Sequence, residues 1–219
     1  MSVWHNAPLK TASGLWIFDM ARLIAHILLC SMLIACAGKT PTTTEVPGQH
    51  KSAGFCRITV LPFANDTDEP RLGLIAEKIC QTELLQREAQ VVNEADVRLF
   101  LQKRQVFTSE LTQHGSTELY AALAEELKTK VIIRGRILTI DDEKKQGEIV
   151  PIITLQLELI NATDGQLIVS SFLRRSGEDY RTILHYGVIR TRSELIRQII
   201  AEIFNDWIAR GVVSCQKSA

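Results

Sequence analysis

Cysteine is the residue type with the most chemical potential in this chain, and Cys36 is the best placed of the five cysteines. It lies at the end of an apolar run, Leu23–Ala37, which only His26 and Ser31 interrupt, and Gly38-Lys39-Thr40 follows directly. Three kinds of segment fit such a stretch: a membrane-spanning helix, a phosphate-binding loop, and a site where the chain is cleaved.

The residues around the apolar run disfavour a membrane-spanning helix and a phosphate-binding loop. A spanning helix needs about 20 apolar residues. Extending this run upstream would include Asp19 and Arg22, and a charge costs about 2.5 kcal/mol or more at the bilayer centre. A phosphate-binding loop needs a glycine five residues before Gly38, where Leu33 stands. A secretory signal needs only about 7–15 apolar residues after a basic start, and this run satisfies that requirement.

The four residues Leu33-Ile34-Ala35-Cys36 resemble the lipobox of bacterial lipoproteins: a branched apolar residue, a tolerant position, a small residue and then cysteine. The resemblance implies that residues 1–35 are a signal peptide and that Cys36 becomes the N-terminus, with a diacylglycerol on its sulfur and an acyl chain on its amine. Ala37, where inner-membrane retention would have Asp, implies the periplasmic face of the outer membrane by the same resemblance. An unmodified Cys36 in an uncleaved signal anchor remains the alternative.

A shorter signal beginning at Met20 keeps one basic residue, Arg22, before the apolar core, and residues 1–19 show no structural pattern. The true start could therefore be Met20. After the cleavage site, residues 36–54 are predicted to be a lipidated flexible tether, because threonine, proline and glycine dominate and no apolar period appears. Eighteen flexible residues average roughly 20–25 Å from end to end. Two or more acyl chains would anchor the protein stably.

Composition excludes one class of partner. The chain has 25 basic and 25 acidic side chains, and 6% of its residues are aromatic. Binding to nucleic acid needs a strong basic field that displaces counterions, so we expect no nucleic-acid partner.

Periodicity predicts one α/β (α+β) domain over residues 55–213, with a tail at 214–219. The predicted order is β-α-β-α-α-β-β-β-α, a mixed sheet with flanking helices and a long C-terminal helix. Leu155, Leu157 and Leu159 alternate with polar residues, which predicts a strand with one covered face. Asn161–Gly165 predicts a hairpin turn. The predicted strands are 57–63, 90–92, 130–141, 149–160 and 166–174, and the predicted helices are about 70–87, 93–101, 115–128 and 180 or 190 to 209.

Two stretches, RITVLPFANDT at Arg57–Thr67 and VIIRGRIL at Val131–Leu138, are joined by the predicted helices and the short strand. This arrangement resembles the TolB N-terminal-domain-like fold, which outer-membrane lipoproteins of the CsgG and LpoB types share. The marks are the apolar strand, Pro62, Asn65 and the turn at Ile133–Gly135. The resemblance implies fold more than function.

The remaining reactive residues give two candidate sites and one packing prediction. Cys56 and Cys215, near the two ends of the domain, could form a disulfide in an exported protein; all cysteines remaining unpaired is the alternative. Cys80 shares the apolar stripe of its helix and is predicted to be a buried free thiol. Carboxylates in one loop could hold a hard cation, but turn and helix-start roles are favoured, so no metal site is predicted. These carboxylates are Asp66, Asp68 and Glu69.

The histidines add no catalytic pattern. His50 lies in the tether, His114 in a polar loop, and His185 beside Tyr186, where packing is favoured over catalysis.

The sequence therefore predicts a non-enzymatic lipoprotein that docks onto or regulates an envelope assembly: cell-wall synthesis, an appendage or secretion machinery. It needs no cofactor beyond its acyl chains, and it could be an oligomer.

Two alternatives stay open. A CsgG-type secretion subunit would need long apolar hairpins in lipid. The connection DDEKKQGE at Asp141–Glu148 is too charged and too short for that role. An enzyme of unrecognised class is the other alternative.

Overall fold

A mixed β-sheet with helices on both faces forms the centre of the fold. The computed structural model describes residues 42–45, 57–107, 111, 117–145, 147–182 and 186–212. These residues all belong to the second of two units, Pro41–Ala219, and the first unit, Met1–Thr40, lies outside them.

The predicted nine elements are all present in the predicted order, and two short strands are added. The strands are β1 Thr42–Glu45, β2 Arg57–Val60, β3 Ala64–Asn65, β4 Gln90–Val91, β5 Val131–Lys145, β6 Glu148–Asn161 and β7 Leu167–Ser176. The helices are α1 Leu72–Gln86, α2 Glu94–Lys103, α3 Thr117–Leu127 and α4 Arg192–Ala209, with a 3₁₀ turn at Gly177–Tyr180. The predicted fold class, including the long C-terminal helix, is confirmed.

The strand order is β1-β7-β6-β5-β2-β4, and β3 pairs with β5 beside this path. β2 is parallel to β4 and β5, and these pairs are joined by helical crossovers, as parallel pairing requires. β5, β6 and β7 form an antiparallel meander, and β1 adds antiparallel to β7. β1 and β4 are therefore the two edges of the sheet.

Each face of the sheet has its own core. α1 and α4 cover one face, where Leu155, Leu157 and Leu159 of β6 pack with Trp207 of α4. α2 and α3 cover part of the other face, packing on β2, the start of β5 and the end of β6. The alternation along β6 correctly predicted that Leu155, Leu157 and Leu159 share one covered face. Ile160 points to the opposite face, where it packs in the core under α2 and α3.

Local sequence signals fix the element ends. The Asn93 side chain accepts a hydrogen bond of 2.8 Å from the Ala95 amide and so caps α2, as predicted. Gly165 has φ +71° in the turn between β6 and β7, a conformation that glycine adopts without strain. At Gly135 a Cβ would lie 2.3 Å from the Phe63 ring, so only glycine lets this ring pack on β5.

The structure departs from the prediction in two segments. β1 lies inside the predicted flexible tether, because three threonines have high β propensity and an open strand edge was available at β7. Asp141–Lys145 was predicted to be a hairpin tip, but it continues β5, so that the hairpin turn lies between Lys145 and Glu148. None of the helices in the described part of the chain has the length and hydropathy that a bilayer crossing requires.

Candidate functional site

The predicted acylation motif, Leu33-Ile34-Ala35-Cys36, lies outside the described residues, and so do Cys56 and Cys215. Acylation and the disulfide therefore stay predictions. His50, His114 and His185 also lie outside them. The described residue nearest to Cys36 along the chain is Thr42, which opens β1.

β1 is fixed to the domain by side chains as well as by backbone pairing. Thr43 Oγ1 donates a hydrogen bond of 2.8 Å to Asp206 Oδ2 of α4 and lies 2.8 Å from Ser171 Oγ of β7. Trp207 Nε1 donates to the same Ser171 hydroxyl at 2.7 Å. The hydroxyls thus form a chain from the indole N–H to the Asp206 carboxylate, which Arg210 also contacts at 2.9 Å.

This docking shortens the connection to the proposed anchor. Five residues separate Cys36 from Thr42. Six Cα–Cα steps span at most about 20–22 Å when fully extended. The predicted tether had eighteen flexible residues, but the sheet begins after only five of them. The stretch of sequence between Cys36 and the first strand is therefore shorter than the predicted tether.

Beyond the region that α2 and α3 cover, the sheet carries two polar rows that run across four strands. In one row Arg134 is paired with Glu158, Glu158 with Ser170, and Ser170 with Thr44. In the other row Arg136 is paired with Gln156, Gln156 with Phe172, and Phe172 with Thr42. We call this surface the open face; its members are Thr42, Thr44, Arg134, Arg136, Gln156, Glu158, Ser170 and Phe172.

Ion pairs order the first part of the open face. Arg134 forms a salt bridge of 2.5 Å with Glu158 and donates hydrogen bonds of 3.2 Å to Tyr120 Oη and to the Leu111 carbonyl. Gln156 donates to Glu158 at 3.0 Å. Burial raises the pKa of Tyr120, against the attraction of Arg134. The Tyr120 hydroxyl is therefore fixed as a neutral hydrogen-bonding group.

The second row ends in an exposed aromatic side chain. Phe172 is 45% exposed, and Arg174 follows it on the same face. Arg136 pairs with Asp66 at 2.6 Å, and its hydrogen bond to that carboxylate raises the pKa of the guanidinium. Aromatic and arginine side chains are both enriched at the interfaces of known protein complexes.

The acidic loop after β3 is used for turn and helix-start contacts. Asn65 Oδ1 accepts from the Thr67 hydroxyl at 2.7 Å, and Asn65 Nδ2 donates to the Glu69 carbonyl. The Asp66 carboxylate faces Arg136, and Glu69 forms an ion pair with Arg192. Across the described ranges, no group of three or more His, Cys, Asp or Glu residues is arranged to hold a metal ion.

Cys80 is a buried free thiol, as predicted. Burial raises the pKa of its thiol, and the neighbouring carboxylates of Glu77 and Glu83 raise it further. A thiol with a raised pKa is a poor nucleophile at neutral pH. Cys80 therefore contributes packing to the core below α1.

Ion pairs close the β4 edge of the sheet. Glu94 of α2 pairs with Lys78 of α1 and with Arg98 at 2.7 Å, and Arg98 also reaches Glu77 at 3.0 Å. Because α1 and α2 lie on opposite faces of the sheet, these contacts wrap around its edge. Burial raises the pKa of Glu77, while Arg98 and Lys78 oppose that rise.

Sequence reasoning missed the β1 dock and the partners across the open face. The run Thr42-Thr43-Thr44 carried a signal for a strand, since threonine has high β propensity. No local pattern indicates that Thr43 would meet Asp206, 163 positions later. The polar residues of β6 were predicted to lie on an uncovered face, and the structure places them there.

Comparison with known proteins gives distant likeness in fold. No family model and no curated protein matches the chain. Similar solved structures include a PelC dodecamer from Paraburkholderia phytofirmans, with 17% identity over 75% of this chain and 96% of that chain and a TM-score of 0.46. The lipoprotein GNA1162 from Neisseria meningitidis has 14% identity over 71% and 99%, with a TM-score of 0.47.

The LpoB C-terminal domain from Escherichia coli has 12% identity over 68% of this chain and 94% of that chain, with a TM-score of 0.39. These likenesses are too distant to indicate a shared function.

Proposed function

We propose that this chain is a non-enzymatic lipoprotein, anchored in the outer membrane through acylated Cys36, that docks onto or regulates a protein assembly of the cell envelope. The observation that carries the proposal is the docking of β1. The sheet captures the chain six positions after the lipobox cysteine, and the same strand borders the open face. Only five residues of sequence thus separate the proposed anchor from a strand that borders the open face.

The anchor is supported by the sequence. Leu33-Ile34-Ala35-Cys36 ends an apolar core of signal-peptide length, and polar residues follow it. A cysteine that carries two or more acyl chains binds membranes stably, whereas one chain binds only marginally. An outer-membrane location follows from Ala37 under the lipoprotein sorting rules that the motif resembles.

The docking role is supported by the open face. Arg134, Glu158 and Gln156 bond to one another, which gives a preformed polar surface with little rotamer freedom left to lose on binding. Phe172 lies beside them as an apolar anchor for a partner. The open face suits a protein partner of mixed polarity that carries a pocket for the Phe172 ring.

Metabolic labelling with palmitate tests the anchor. The wild type should incorporate label, Cys36→Ala should lose it, and Cys30→Ala should keep it, since Cys30 leaves with the signal. Density separation of the two membranes then gives the location. Equal labelling of wild type and Cys36→Ala would show that the lipid is not on this cysteine.

Site-specific photocrosslinking in intact cells tests the docking surface. A photoreactive phenylalanine at Phe172 should give a discrete adduct that contains a component of an envelope assembly. The matched control is Leu85, which is 59% exposed on α1 and lies away from the open face. Equal adducts from both positions, or none from Phe172, would contradict the assignment of this surface. An adduct with a second copy of the chain would indicate an oligomer.

A further inference from the structure

β1 is attached to the domain by hydrogen bonds and contributes no side chain to either core. Its four residues pair with residues 169–172 of β7, and the Thr43 hydroxyl contacts Ser171 and Asp206. None of the four belongs to the apolar clusters on the two faces of the sheet, whose described members all come from other parts of the chain. Release of β1 would therefore leave both of these cores packed.

β7 is the strand that loses a neighbour when β1 leaves. It has ten residues, Leu167–Ser176, and its other side pairs with β6. Ser171 is fully buried, and its hydroxyl lies 2.8 Å from Thr43 Oγ1. A long strand edge with open backbone groups readily takes up another strand. The β7 edge is therefore a receiving site for a strand, and its side chains favour one with a hydroxyl at the position of Thr43.

β2, the next strand of the chain, lies far from β1 in the sheet. β7, β6 and β5 separate the two strands. Four interstrand steps of about 4.8 Å place them about 19 Å apart. Through the paired residues of the sheet, Glu45 is level with Val60, which lies about 10 Å along β2 from Arg57. The distance from Glu45 to Arg57 is therefore about 22 Å.

The sequence between β1 and β2 is longer than this distance requires. Eleven residues, 46–56, join Glu45 to Arg57, and twelve Cα–Cα steps span up to about 40 Å. A β7 edge on a second molecule, up to about 40 Å from Arg57, is thus also within reach of β1. Exchange of an identical element between copies is a low-cost route to a dimer, because each contact within one chain is remade between chains.

We propose that the β7 edge is a strand-exchange site, at which β1 of a second copy of this chain replaces the chain's own β1. The second copy fits because its β1 offers the same four residues in the same register, with the Thr43 hydroxyl directed at Asp206. The concentration of copies, set against the effective concentration of the attached strand, decides how much is exchanged. Since exchange remakes the Thr43 hydrogen bonds without adding any, their strength sets its rate and not its extent.

Isotope-resolved photocrosslinking tests the exchange on the full chain purified in detergent. One preparation carries a photoreactive phenylalanine at Thr44, which is exposed and lies opposite Ser170 of β7. The other is labelled with ¹⁵N and has no photoreactive residue. After mixing and irradiation, mass spectrometry of the peptides shows whether Thr44 has attached to an unlabelled or a labelled β7. Leu85, which is 59% exposed on α1, is the matched control position.

We expect adducts between position 44 and labelled residues 169–172, in a fraction that rises with protein concentration, and no adducts on β7 from position 85. Only unlabelled adducts at every concentration would overturn the proposal. Labelled adducts that scatter over the surface, or that form equally from both positions, would report random collision and overturn it too. Labelled adducts confined to β1 would show addition at its outer edge in place of exchange.

Thr43→Val separates exchange from other kinds of association. Loss of its hydrogen bonds should open β1 about 30-fold more often, so labelled adducts should appear about 30-fold faster after mixing. The final labelled fraction should equal that of the parent, because the same bonds are lost within one chain and between chains. An unchanged rate, or a different final fraction, would show that a second copy binds without replacing β1. No step of this test depends on acylation of Cys36.

Discussion

Replacing Thr43 by valine should weaken the attachment of β1 to the sheet without unfolding the domain. The side chain has nearly the same shape, so packing is preserved, but the hydroxyl chain between Ser171 and Asp206 is broken. Ser171 is fully buried, and its hydroxyl then loses its acceptor on β1. Thr44→Val is the matched control, because Thr44 is exposed on the open face.

The structure gives the size of the effect. A hydrogen bond to a charged group contributes about 1.5–3 kcal/mol, and an unsatisfied buried hydroxyl costs about 1–3 kcal/mol. Because Asp206 also binds Arg210 and is partly solvated, we expect the lower part of this range, about 2 kcal/mol. The free energy of opening β1 should fall by that amount, which is a factor of about 30 in the open population.

Native-state hydrogen exchange measures this opening directly. The slowest-exchanging β1 amide should exchange about 30-fold faster in Thr43→Val, while amides of β6 keep their protection. Thr44→Val should leave β1 unchanged or slightly more protected. If the two variants exchange alike, the hydroxyl chain does not hold β1 on the sheet.

Three further predictions concern the core and the sheet edge. Gly135→Ala should lower the free energy of unfolding by about 1–3 kcal/mol, because its Cβ would overlap the Phe63 ring; a Phe63→Leu background should recover part of this loss in chemical denaturation. Cys80 should resist iodoacetamide at pH 8 in the native protein and react on unfolding, since burial raises its pKa; rapid native labelling would contradict this. The raised pKa of Glu77 favours the protonated form in the folded state, so its contribution to stability is complete below the unfolded pKa of about 4.3 and is lost as pH rises through the folded value. The unfolding free energy of wild type minus that of Glu77→Gln should therefore fall as pH rises, and a difference that stays constant would be inconsistent with a raised pKa.

The elements of the fold could be predicted where the sequence is periodic. Leu155, Leu157 and Leu159 alternate strictly, and the apolar stripe of α1 has helical spacing, so burial on one face specified each element. Asn93 and Gly165 marked a helix start and a turn through their own side-chain and backbone chemistry. These signals are local, and local signals can be found in one sequence.

The pairings could not be predicted, because they depend on distant parts of the chain. Thr43 contacts Asp206 only because β7 and α4 lie side by side, and no spacing in the sequence records this. Charge was also misleading for Asp141–Lys145. A charged segment was expected to be a turn, but its side chains find partners such as Arg192, and the strand continues.

The ion pairs around β4 make the two edges of the sheet unequal. On one side, ion pairs among Lys78, Glu94, Arg98 and Glu77 flank a strand of two residues, and a short edge next to charged side chains disfavours pairing with another chain. On the other side, β1 ends the sheet with only four residues. Growth of the sheet by strand addition is therefore directional: within the described part of the chain, a partner's strand would add at β1 and not at β4, so repeated copies would extend the sheet on one side.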